Sequence, residues 1–235
     1  MKSYPVSNVL NIRIHKISKK DLEKEIVSAL RSEEELFIAT VNPSFIIRSR
    51  KDKEFEKILN KETNLNVADG IGLRLVDKHL EIIPGVDIVT KILSFAEDLG
   101  KTVLIVVKED SLTSKDRLNS YLRTKYPSLR FTISVPERFK STYDVLLCTL
   151  GEVVQEKFIY NNLHTIKPKI SIGVGGAFDV LTGSVFVPKT KYFGWLFRLL
   201  SNPRRFPKIM QSVVLFPLMV FVERTRCALN KRGVL

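Results

Sequence analysis

The feature that most constrains this chain is an alternation. Short, apolar, β-rich runs are separated by amphipathic stretches of helical length. The strand-like runs are Leu36–Val41 (LFIATV), a short LNV segment leading into Asp69, Thr102–Val107 (TVLIVV), FTISV from Phe131, DVLLCTL from Asp144 and KISIG from Lys169. Val9–Ile17 reads as a further strand. The helical stretches begin with Ser18–Arg31, opened by Ser18 and Asp21 as a capping pair. A second is capped by Asn42, with Pro43 at its first position, and runs to about Leu59. Pro84–Gly100 closes on its glycine. Ser111–Tyr126 and Glu152–His164 complete the set. This order predicts an α/β fold: a Rossmann-like, mostly parallel sheet with helices on both faces. Ligands of such sheets gather beyond the carboxyl ends of the strands.

Four polar clusters fall at predicted strand ends: Thr40-Val41-Asn42, Asp69-Gly70-Ile71-Gly72, Gly173-Val174-Gly175-Gly176, and Gly151 with Gln155-Glu156. Their coincidence at one edge is the first functional signal. Asp69 stands where a strand hands over to a helix. Asp-Gly is a common turn dipeptide, yet glycines also let a substrate approach the backbone, and both readings stand on the residues alone. The GVGGAFD stretch does not match the dinucleotide fingerprint and lies late in the chain, so its glycines fit either a nucleotide or sugar, or tight packing. Gln155 and Glu156 read more readily as solvent-facing helix residues than as site residues. The three histidines are scattered without metal spacing. No Asp-x-Asp occurs, so a bound diphosphate must be met by protein cations rather than by a metal on clustered carboxylates, and metal-independent chemistry is expected.

The 235-residue chain carries a net charge of +13. From Val187 onward there are ten Lys/Arg and one acid, Glu223, so 10 − 1 gives +9 on that tail. Residues 1–186 are therefore expected to form one near-neutral body, and 187–235 a basic, aromatic, helical C-terminal appendage whose charge implies a polyanionic partner: phosphate groups, nucleic acid or an anionic membrane. The appendage reads as two or three short helices broken by Pro203, Pro207 and Pro217. Its apolar Met210–Val222 stretch, thirteen residues, is too short to span a bilayer. Arg198, Arg205 and Lys208 are the tail's candidates for phosphate contact. The tail aromatics sit among Leu, Val and Met rather than between the cations, which argues against a nucleic-acid platform. Two cysteines make no disulfide framework, and the N-terminus has no signal-peptide pattern, so a cytoplasmic setting is expected. The sequence leaves a homo-oligomer open.

Six stretches, in order and over most of the chain, resemble the WecG/TagA/CpsF family of bacterial glycosyltransferases: Ala39–Asp52, Val67–Leu75, Pro84–Val89, Thr149–Phe158, Ile172–Gly183 and Gly194–Lys208. The resemblance implies an inverting transferase that moves a sugar (N-acetylmannosamine-like, a uronic acid or a hexose) from a UDP-sugar to a polyprenyl-diphosphate-linked acceptor, peripheral on the inner membrane face. Teichoic acid, enterobacterial common antigen and exopolysaccharides are the products it implies. Asp69 matches the family's catalytic base, and Thr40 joins it as a catalytic residue. Asn42, Gly70, Gly72, Gly85, Asp87, Gln155, Glu156, Gly173, Gly175 and Gly176 are implied at the substrate, with Arg198, Arg205 and Lys208 on the diphosphate. Ile82, Val153, Val154, Gly194 and Lys208 depart from the residues the family often has there. An inactive membrane-associated scaffold is the alternative, against which the intact Thr40, Asp69 and Gln155 speak.

Overall fold

Six parallel strands form the central sheet of the computed structural model, in the order β4-β3-β8-β7-β5-β6. They are β3 (Leu36–Val41), β4 (Leu65–Ala68), β5 (Thr102–Val106), β6 (Arg130–Ser134), β7 (Val145–Cys148) and β8 (Ile170–Gly173). The structure describes residues 2–137, 139, 141–185 and 210–231, with the side chains of 211 and 227–231 excepted.

The period-two alternation of a strand sorts its side chains between two faces. Leu36 and Ile38 of β3, Val103 and Ile105 of β5, and Ile170 and Ile172 of β8 share one core with helices α1 (Lys19–Arg31), α4 (Gly85–Asp98) and α5 (Lys115–Lys125). Phe37, Leu104, Val106, Leu146 and Cys148 face the other way, onto α6 (Val154–Ile166). Both faces are thus covered, which is why these strands read as continuous apolar runs.

The amino-terminal segment differs from its reading as one strand. Val6–Val9 (β1) and Ile12–His15 (β2) pair antiparallel through Leu10 and Asn11, at φ 50° and 71°. Two successive left-handed residues make the tight turn whose twist suits a two-residue hairpin. The hairpin is separate from the main sheet and is tied to β4 by buried Asn66. Asn66 donates its backbone N–H to His15 Nδ1 (2.9 Å) and its amide to the carbonyls of Arg13 (2.8 Å) and Leu59 (2.6 Å). Burial, and then the charge of Arg13, lowers the His15 pKa and keeps the ring a neutral acceptor.

The helix after Asn42 is also shorter than expected. It stops as α2 (Pro43–Ser49); Asp52 then caps a new short helix, α3 (Lys53–Lys57), by accepting from the Phe55 N–H at 3.0 Å, and a π-helical turn follows over Ile58–Glu62. Pro217 does not break the C-terminal segment. A π-helical turn, Gln211–Leu215, runs straight into a helix that we number α8 (Phe216–Lys231). The proline ring crowds the carbonyl four residues back, and the wider turn gives it room. Phe216 and Val220 are buried with Val9, Ile12, Phe45, Ile46 and Leu73, so α8 packs on the body beside α2 and the hairpin. Each such side chain contributes roughly 1.5–3 kcal/mol when fully buried.

Candidate active site

Parallel register brings the first two clusters side by side. Thr40 of β3 stands opposite Val67 of β4, and the Asp69 N–H donates to the Val41 carbonyl at 2.7 Å. The Ile83 N–H in turn bonds the Ala68 carbonyl (2.9 Å), which delivers Gly85, the first residue of α4, to the same place. A β-carbon at Gly85 would lie 3.7 Å from Asp69 Oδ2, 3.7 Å from Thr40 Oγ1 and 3.6 Å from Thr40 Cγ2. A carboxylate and a hydroxyl therefore bracket one glycine at the carboxyl edge of the sheet.

Thr40 also reaches the third cluster: its hydroxyl donates to the Gly173 carbonyl at 3.4 Å. Gly173 is held from below. A β-carbon there would meet Gln155 Nε2 and Glu156 Oε1, each at 2.4 Å, so only glycine fits. Gln155 and Glu156 are 2% and 0% exposed, not solvent-facing. Gln155 is committed at both ends of its amide: Nε2 donates to Glu156 Oε1 (2.7 Å), and its oxygen accepts from the Gly175 N–H (3.0 Å). Glu156 Oε2 accepts from the Val153 N–H (2.8 Å). Burial pushes the Glu156 carboxyl up to about 8, against those hydrogen bonds. Above this prop Gly175, at φ +48°, has no atom within 4 Å of its missing β-carbon, and Gly176 caps the short helix Ala177–Leu181. The turn Gly173–Gly176 is thus buttressed beneath and open at Gly175.

Glu152 was not singled out from the sequence, yet it joins the first and fourth clusters. Its Oε1 accepts from Asn42 Nδ2 (3.0 Å), and its Oε2 accepts from the Ser44 hydroxyl (2.8 Å) and faces Arg48 Nε at 3.4 Å. The signal was present: an acid beside a glycine just past a strand, the pattern that drew attention to Asp69. Asn42 spends its oxygen capping α2, accepting from the N–H groups of Ser44 (2.8 Å) and Phe45 (3.2 Å).

Other expected site residues have different surroundings. The missing side chains of Gly70, at φ +126°, and Gly72 seat Pro43, whose ring carbons would stand 3.4 and 2.9 Å from β-carbons at these positions. Asp87 pairs with Lys19 at 2.8 Å. Arg198, Arg205 and Lys208 lie outside the described residues. Cys148 is fully buried, and burial pushes its thiol up to about 12. Among the described residues no three His, Cys, Asp or Glu side chains converge as metal ligands. A cavity of about 470 Å³, lined by Glu62, Asn64, Tyr160 and His164, lies toward the amino ends of β3 and β8, where it also meets Phe37 and Ser171. Parallel sheets rarely place their chemistry at that end.

The chain is 29% identical to the N-acetylglucosaminyldiphosphoundecaprenol N-acetyl-beta-D-mannosaminyltransferase of Bacillus subtilis (strain 168), with 79% of each chain covered. It is 26% identical to the enzyme of the same name from Bacillus spizizenii, with 74% of each covered, and 22% identical to that of Staphylococcus aureus (strain MRSA252), with 80% of each covered. The glycosyl transferase WecG/TagA/CpsF family matches residues 7–230, and with nearly the whole chain included this protein belongs to that family of glycosyltransferases.

Proposed function

We propose that the protein transfers a sugar from a UDP-sugar to a polyprenyl-diphosphate-linked sugar, with inversion and without a metal ion. The observation that carries the reading is the bracket of Asp69 and Thr40 around Gly85, beside the open turn at Gly175. In this reading the acceptor hydroxyl enters at Asp69. The carboxylate takes its proton as the oxygen bonds to the anomeric carbon, and the bond from that carbon to the diphosphate breaks, releasing UDP. A single positioned base suits a direct displacement, because no glycosyl-enzyme has to form. Thr40 orients the reacting groups, anchored through its hydroxyl to the Gly173 carbonyl. Arg198, Arg205 and Lys208 of the appendage are proposed to balance the charge of the leaving diphosphate. The relatives' names make an N-acetylmannosamine donor and an N-acetylglucosaminyl-diphosphoundecaprenol acceptor the first pair to test.

A lipid-linked acceptor calls for an enzyme at the membrane surface. Among the described residues no helix is long and apolar enough to cross a membrane. The outer side of α8 exposes Leu218, Phe221 and Val222, and the 3-10 helix it packs against exposes Ile71 and Leu75. We propose that this surface rests on an anionic leaflet on the cytoplasmic side, with the tail cations adding attraction.

The deciding experiment is UDP release from UDP-sugars in the presence of a short-chain polyprenyl-diphosphate-sugar, with Asp69→Asn as control. The amide cannot accept the proton, so turnover should fall at least 100-fold with the fold retained. Turnover close to wild type in that variant would remove Asp69 as the base. Activity abolished by EDTA and restored by magnesium would defeat the metal-free part.

A further inference from the structure

We propose that Lys108 supplies the catalytic body's own cation for the donor diphosphate. The inference rests on the UDP-sugar reading above and adds a residue to it. Lys108 lies just past β5, and its Nζ stands 3.8 Å, its Cε 4.0 Å, from where a β-carbon would sit on Gly151. Gly151 follows β7, the strand between β5 and β8. It sits at φ +90°, a conformation that favours glycine, and the lysine side chain lies at ordinary van der Waals distance from that position. The ammonium therefore lies beside the loop after β7, the strand that separates β5 from β8.

Sheet geometry sets the scale. Neighbouring strands are about 4.8 Å apart, so β7 lies about 10 Å from β3. A sugar whose anomeric carbon sits at Thr40 and Asp69, on β3 and β4, directs its diphosphate along the strand ends over β8 and β7. Gly175, past β8, has no atom within 4 Å of its missing β-carbon, and Lys108, beside the loop after β7, is the cation we assign to the far end of that path. Its charge is not spent elsewhere: Lys108 is exposed, and no ion pair among the described residues includes it. Arg48, the neighbouring cation on the β3 side, already faces Glu152.

The test is calorimetric binding of UDP and of uridine to the full chain, in wild type, Lys108→Ala and Lys108→Arg. Wild type should bind UDP more tightly than uridine. Lys108→Ala should lose about tenfold in UDP affinity, the size of one charge-assisted contact, and keep its uridine affinity. Lys108→Arg should keep most of both. The exposed position makes a folding defect unexpected, and an unchanged melting temperature checks it. If wild type binds UDP and Lys108→Ala binds it equally well, Lys108 has no part in the site, while the donor reading stands. Equal weakening of UDP and uridine would overturn the diphosphate assignment. If wild type binds no UDP, it is the underlying donor reading that fails.

Discussion

Glu156 lies so close beneath Gly173 that a β-carbon on the glycine would stand 2.4 Å from its Oε1. The same point is 2.4 Å from Gln155 Nε2, so a methyl there meets two buried side chains at once. Neither can swing into solvent without breaking its hydrogen bonds. Gly173→Ala should destabilise the protein by about 1–3 kcal/mol, the usual cost of overpacking. It should also reduce turnover, because Thr40 is anchored to the Gly173 carbonyl. Chemical denaturation and UDP-release assays measure the two effects; wild-type values in both would mean that the turn is not held from below.

The Glu156 carboxyl gives stability a specific pH dependence. Its folded pKa of about 8 lies above the ordinary value of 4.5, with burial as the main cause. Between those values the folded protein holds a proton that the unfolded chain has released. The contribution is therefore fully present below about pH 4.5 and is lost as pH rises through about 8. Wild type should lose stability over this window relative to Glu156→Gln, by an amount on the order of a few kcal/mol. Urea midpoints at pH 5, 7 and 9 supply the comparison. Parallel profiles for the two proteins would show that Glu156 does not bind that proton.

How much of this was legible in the sequence depends on how local the cause is. β3, β5 and β7 are short runs buried on both faces and apolar at all but one threonine in β3 and one in β5, which leaves little to confuse the reading. The hairpin turn was missed because Leu10 at positive φ has no signal of its own; Asn11 alone hinted at it. The break after Ser49 was missed because Asp52 sits in a charged stretch where its capping role is one option among several. Pro217 misled because a π-helical turn precedes it and runs into the helix, whose Phe216 packs against residues distant in sequence. At the site, Asp69 and Thr40 come together through strand register, which strand-end clustering captured, whereas Gly85, brought there by the Ile83–Ala68 hydrogen bond, was implied only by the family resemblance. The inward burial of Gln155 and Glu156, and the seating of Pro43 on Gly70 and Gly72, depend on tertiary contacts that spacing does not encode.

Gly85 separates packing from chemistry. A β-carbon there makes ordinary contacts of 3.6–3.7 Å, so Gly85→Ala should fold with stability within about 0.5 kcal/mol of wild type. The methyl would nevertheless stand 3.7 Å from both Asp69 Oδ2 and Thr40 Oγ1, close to where the acceptor hydroxyl is proposed to enter. Turnover should fall about tenfold or more, since small misplacements of reacting groups cost that much. Unchanged turnover in Gly85→Ala would place the reacting groups elsewhere around Asp69.

The exposed face of α8 makes the last prediction. Leu218 is 56% exposed and Phe221 68%, while Phe216 and Val220 on the same helix are buried against the body. The helix thus spends one side on its own protein and leaves the other apolar side uncovered, beside Ile71 and Leu75 of the 3-10 helix that follows Gly70. Arg224 fastens the two helices by donating to the Leu75 carbonyl at 2.5 Å. Burying such a face at the headgroup boundary gains roughly 25 cal/mol for each Å² of apolar area, and each nearby Lys or Arg adds about 1 kcal/mol on an anionic leaflet. Leu218→Asp combined with Phe221→Asp should leave the melting temperature unchanged, because neither side chain is in the core. Sedimentation with anionic vesicles should fall sharply, and transfer to a lipid-linked acceptor with it, while transfer to a water-soluble acceptor stays near wild type. Ile71→Asp should weaken vesicle binding in the same direction, since Ile71 is exposed on the 3-10 helix that packs against α8. Full vesicle binding by the double variant would mean that this face does not meet the membrane, and that the basic residues alone hold the enzyme there.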